Sequence, residues 1–228
     1  MNKLKKIFKQ FHNAPQKERD RMLGYATMWF NYVWAVVKFF IGVFAGSFFF
    51  FLSGMYSACL GLARFLTSDG MGIAKHDLRS QRETYSKVIL ILLAATAVSV
   101  AYMIRLFFIP SDFVYRTWVA AFTAVIAIAE FVIAAFGVVH SFRRKDLLLS
   151  SITGVNLHSA FSAIVLAQVS VLSLIKKENA SFYVSVGGVV FGVLGLLVCL
   201  IMCVVYYKAG KYLKKLEFTE ETTSDSFR

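Results

Sequence analysis

Charge is scarce in this 228-residue chain: 17% of residues are Asp, Glu, Lys or Arg, against 58% hydrophobic. A soluble domain of this length would carry more charge and less apolar content, which argues against a soluble fold. Cysteine is sparse too. Cys59, Cys199 and Cys203 all lie within apolar runs, so no disulfide framework can be read from them. Cys199 and Cys203 stand one helical turn apart and read as small apolar filler rather than a metal pair. Catalytic patterns are missing: there is no Gly-rich phosphate loop, no His-Glu-x-x-His and no recognisable Ser, His and Asp arrangement. With a single acidic residue inside the apolar runs, a carboxylate-pair mechanism has no second carboxylate, so an enzyme is not expected.

What the chain does have is long apolar runs. A helical span needs about 20 predominantly apolar residues to cross about 30 Å of hydrocarbon. Six such runs are read near Tyr25–Ala45, Phe48–Leu66, Val88–Phe108, Thr117–Val139, Leu147–Leu174 and Val184–Tyr206. They are continuous rather than alternating, which excludes strands of a membrane barrel. The expected fold is all-α, a polytopic membrane protein built as a six-helix transmembrane bundle. Three parts follow: a basic amphipathic segment over 1–22, the bundle over 23–210, and a cytoplasmic disordered tail over 211–228. The loop Thr67–Ser86 reads as hydrophilic and too short for a domain. No short apolar stretch with a small-residue cleavage site precedes the first span, so no cleavable signal is expected.

Lys and Arg set the orientation. Seven precede the first span, five fall from Arg64 to Lys87, Arg143, Arg144 and Lys145 lie between spans four and five, and five follow span six. The opposite face has only Arg105, Arg116, Lys176 and Lys177. Loops rich in Lys and Arg stay cytoplasmic, so both termini are placed inside, in a membrane expected to be a bacterial plasma membrane. The net charge of +12 is mainly this topology signal. It is divided among four segments without a recognition motif, so nucleic acid is not an expected partner. Leu4, Ile7, Phe8 and Phe11 alternate with Lys and suggest a helix lying on the anionic inner leaflet. Gly42 and Gly46, and Gly188 and Gly192 with Gly195 nearby, allow close helix approach. They are read as packing within the chain, with a homodimer seam as the alternative. The many aromatics, including Phe48 to Phe51, are read as interfacial belts.

Polar residues at membrane depth are the candidate site, because each costs several kcal/mol unless partnered. Lys38 and Glu130 are the two charges read as lying well inside spans. Asn31 sits one heptad before Lys38 and shares its face. Asn156 and His158 lie in the fifth span. At about 1.5 Å per residue, Lys38, Glu130 and His158 fall near one depth, with Tyr56 and Ser57 close to the same layer. The functional expectation is a central site for an ion or small polar solute; the plainer one is a buried pair that locks helix register. No cofactor and no metal is expected. Gln168 and Ser170 read as interhelical hydrogen-bond glue.

The stretch Asn31…Lys38…Gly46-Ser47…Tyr56 resembles the first two spans of the cation diffusion facilitator family. That resemblance implies six spans with cytoplasmic termini. It also implies an Asp-x-x-x-Asp pair on the second helix and His-x-x-x-Asp on the fifth, which bind zinc. Here the first pair falls on Tyr56 and Leu60, and the second on His158 and Ser162. One His cannot supply the four donors of a tetrahedral zinc site. The family's cytoplasmic metal-binding domain is missing as well. The expectation is a degenerate relative without zinc export by the usual route. It would be transporter-like, moving or sensing a small solute or ion, with a non-transporting scaffold or accessory subunit as the alternative.

Overall fold

A computed structural model describes residues 16–73, 78–110, 115–142, 147–175 and 179–225. Among the described residues every regular element is an α-helix: α1 Gln16–Phe44, α2 Phe48–Ile73, α3 Leu78–Phe108, α4 Thr117–Phe142, α5 Leu147–Leu174 and α6 Ala180–Asp225. Six of them are long and apolar enough to cross a membrane, so the chain is an all-helical integral membrane protein.

The first hairpin shows how sequence makes the turn. Gly46 takes φ 61°, a left-handed conformation open to glycine at no steric cost. The Ser47 amide then donates to Gly42 O at 2.9 Å and the Gly46 amide to Val43 O at 3.4 Å, the two bonds of a Schellman cap. The Gly46-Ser47 step thus ends α1 and reverses the chain. Ser47 Oγ and Tyr115 Oη share a hydrogen bond of 2.7 Å, tying this turn to the segment that opens α4. Burial pushes the Tyr115 phenol up to about 12.

Helix pairing gives the architecture. α1 packs on α2, α4 on α5, and α3 on α6, while α2 and α5 also touch each other and α3. α1 and α4 are not a closely packed pair. Among the described residues there are two apolar cores. One, in the half holding the α1–α2 turn, contains Phe49, Phe50, Leu106, Ile126, Leu166 and Val184. The other, in the half where α1 begins (hereafter the tail half), contains Leu60, Tyr85, Leu92, Val155 and Met202. The glycine stripe of α6 is used within the chain: Gly188 lies against Met103, Gly192 against Val100, and Gly195 against His158 and Thr96.

Several expectations need correction. Residues 67–73 and 78–86, read as loop, are helical. Thr67 and Ser68 are tolerated there because Thr67 Oγ1 donates to Ala63 O at 2.9 Å and meets Ser151 Oγ at 3.1 Å. The start of α3 is helped by an i,i+4 Glu83–Lys87 pair at 2.8 Å. Arg64, counted as a loop charge, lies inside α2 and is 5% exposed. Phe49 and Phe50 are core residues rather than belt residues. α6 runs to Asp225, across the segment expected to be a disordered tail; its Lys-Tyr-Leu-Lys-Lys-Leu-Glu run is rich in helix formers. The amphipathic face around Leu4, Ile7, Phe8 and Phe11 lies outside the described residues, as do Arg143 to Lys145.

Candidate functional site

Lys38 and Glu130 meet, as their depths suggest. Lys38 Nζ donates to Glu130 Oε1 at 2.7 Å and Oε2 at 2.9 Å, and its third bond goes to Ser57 Oγ at 2.9 Å. An ammonium has three donors, and all three are used. Lys38 is 0% and Glu130 4% exposed. The three residues come from α1, α2 and α4, so the pair bridges two helices that do not otherwise pack closely. Asn31 is also buried, on the Lys38 face, and its amide nitrogen lacks a hydrogen-bond partner.

His158 and Tyr56 do not join this pair. His158 Nδ1 lies 2.8 Å from Gly154 O, and Nε2 lies 3.6 Å from Cys199 Sγ on α6. The ring therefore faces α6, away from α4. Asn156, two residues earlier, is turned by about 200°, and its amide lies over Gly137 of α4. Tyr56 is about 100° around α2 from Ser57 and faces Thr96 of α3. Cys199 is buried and Cys203 exposed. Among the described residues no three of His, Cys, Asp and Glu come together.

Two cavities flank the pair. One, of about 70 Å³, lies among α2, α3, α5 and α6 in the turn half. Ser53, Tyr56, Thr96, Ser99 and Ser162 give it a hydroxyl lining. It brings together Tyr56 and Ser162, two positions where the resemblance implies zinc ligands, and supplies neutral oxygens there. The other, of about 500 Å³, opens in the tail half among α1, α2, α4 and α5. Its walls are Leu23, Ile133, Phe136, Val139, Leu149 and Ile152. Its polar groups are Asp20, Thr27, Arg64, Ser68 and Asn156.

Arg64, Ser68 and Asp20 are the residues that the sequence pattern does not single out. Arg64 is buried, Ser68 fully so, and Arg64 Nε and Ser68 Oγ lack hydrogen-bond partners. Arg64 lies within electrostatic range of Glu130. The signal available in the sequence is the i,i+4 spacing of Arg64 and Ser68, which puts both on one face once the helix is known to continue. Neither Lys38 nor Glu130 lines either cavity. Comparison with known protein families, with curated proteins and with solved structures found no match to this chain.

Proposed function

We propose that this chain binds a small solute inside its helical bundle, in the tail-half cavity, and moves or senses it. The reading is carried by that cavity. Its volume of about 500 Å³ falls within the range of small-molecule sites, and its few polar groups among apolar walls are what such sites use for orientation. On this reading Lys38, Glu130 and Ser57 form a fixed clamp holding α1 and α4 beside the cavity. Asn156 and Arg64 are the polar contacts. Zinc is not the solute: the positions that would ligate it hold Tyr56, Leu60 and Ser162, and kinship with the cation diffusion facilitators is proposed at most for the α1–α2 hairpin. The proposed setting is a bacterial plasma membrane with both termini cytoplasmic, as the Lys and Arg distribution argues.

The test is a proteoliposome flux and binding screen over cations, protons and small organic solutes, with Ile152→Trp to fill the cavity. Loss of binding or flux in that variant, with folding intact, supports the reading. Flux that survives Ile152→Trp and vanishes on Glu130→Gln in a folded protein returns the site to the ion pair. A second reading, a non-transporting scaffold or accessory subunit, is favoured by one observation: the Lys38–Glu130–Ser57 contacts are closed and saturated. It predicts no flux for any solute and a partner protein at the basic loops.

A further inference from the structure

The tail-half cavity has a polarity that runs along the bundle axis, and this deepens the solute-binding reading on which it rests. Gly24 and Ser68 are side by side. Asp20 is four residues from Gly24 toward the tail side, and Arg64 is four residues from Ser68 toward the middle of the bundle. At 1.5 Å per residue, about 12 Å separates the two charges along the axis. Arg64 therefore stands nearer the middle of the bundle and Asp20 nearer its tail side, and both are buried. Apart from Thr27, Ser68 and Asn156 the rest of the wall is apolar, with Leu23, Ile133, Phe136, Leu149 and Ile152. Phe136, at the rim, is 73% exposed and faces the hydrocarbon side of the helix.

Two unpartnered buried groups lie one turn apart on α2 in the cavity wall: Arg64 Nε and Ser68 Oγ. Buried polar groups are expected to find partners, and a guanidinium nitrogen donates only. The group that would satisfy it is an oxygen acceptor, and an anionic one makes the strongest bond. Thr27 donates its hydroxyl within α1, to Leu23 O and Gly24 O, and makes no bond to Arg64 Nε. We propose that the tail-half cavity binds a single-chain amphipathic anion, a carboxylate or phosphate with an apolar tail. Its head lies on Arg64 and Ser68 and its tail along Ile133, Phe136, Leu149 and Ile152. Asp20, on the tail side, disfavours the reverse orientation.

The experiment uses the full chain in phosphatidylcholine nanodiscs and measures saturable binding above protein-free discs. The probes are laurate, dodecyl phosphate, dodecanol and dodecylammonium. Laurate and dodecyl phosphate are expected to bind one per chain and at least about tenfold more tightly than dodecanol, the worth of a charge-assisted bond. The preferred anion tells a free carboxylate from a phosphate head. Arg64→Met is expected to bring the anions down to the level of dodecanol. Ser68→Ala, which removes only a hydroxyl and keeps the comparison valid if Arg64→Met does not fold, is expected to weaken the anions several-fold and leave dodecanol unchanged. Dodecanol binding as tightly as laurate, with Ser68→Ala silent on both, overturns the anion assignment while the solute-binding reading stands. Tightest binding of dodecylammonium overturns it in favour of Asp20 as the head partner. If no probe binds, the anion assignment fails; the solute-binding reading fails as well only if the flux screen, too, is unaffected by Ile152→Trp.

Discussion

Removing the carboxylate at Glu130 while keeping its shape is the sharpest perturbation of the clamp. In Glu130→Gln, Lys38 Nζ loses the charge that takes two of its three bonds and keeps Ser57 and at most one amide oxygen. The ammonium is 0% exposed, so water cannot replace what is lost. Breaking a buried pair from one side costs about 3–5 kcal/mol, because it leaves an uncompensated charge. One amide acceptor remains, so the lower end of that range is expected. Removing both charges is different. A buried pair replaced by apolar residues of similar volume is often neutral or stabilising, so Lys38→Met with Glu130→Leu should fold within about 1 kcal/mol of the wild type. The assay is equilibrium unfolding in mixed dodecylmaltoside and SDS micelles, followed by circular dichroism, on Glu130→Gln, on Lys38→Met and Glu130→Leu singly, and on the double. The expected pattern is a large loss in each single variant and recovery in the double. If Glu130→Gln unfolds with the wild type while abolishing solute flux, the clamp reasoning is refuted and the pair becomes a site of proton exchange.

Other outcomes follow from the same contacts. Ser57→Ala should cost about 1–2 kcal/mol in that unfolding assay, since it removes the third acceptor of a buried ammonium. Gly54→Leu should cost about 1–3 kcal/mol, because a Cβ at Gly54 already meets Ala35 O at 3.0 Å and the Phe39 backbone nitrogen at 3.2 Å, and backbone cannot swing aside. Cys203 should react with a lipid-soluble maleimide well before Cys199, which is buried against His158; mass spectrometry of a time course reads the order. A fluorescent protein fused to the C-terminus should fold and glow if the proposed inside placement of the termini, argued from the excess of Lys and Arg, holds. Activity only from a periplasmic reporter would reverse the orientation.

Depth was legible in the sequence and azimuth was not. Lys38 and Glu130 could be matched because each lies a countable number of residues from a span end, and the structure joins them. The same counting puts His158 and Tyr56 in that layer, but each residue also turns by about 100°. No pattern in α2 or α5 says which neighbour a given face meets: the fifth span has apolar and small residues all round. His158 therefore went to α6, and Ser57, adjacent to Tyr56, went to the pair. Arg64 was hidden for another reason. Hydropathy falls at Thr67-Ser68-Asp69, so the second span looks finished near Leu66 and Arg64 looks like a loop charge. The helix continues because Thr67 is satisfied by Ala63 and by Ser151 of α5, a tertiary contact that composition does not carry. With α2 extended to Ile73, Arg64 becomes an interior charge.

The central claim is that solute reaches the tail-half cavity and not the Lys38–Glu130 pair. In a protein with Cys59, Cys199 and Cys203 replaced by Ala or Ser, the rates at which a small water-borne thiol reagent modifies Ile152→Cys in the cavity wall and Ser57→Cys at the clamp test it directly. The account predicts that Cys at 152 is modified rapidly, is protected by laurate or dodecyl phosphate, and that Cys at 57 stays unmodified. A slow or unprotected reaction at 152, or an equal reaction at 57, would contradict it.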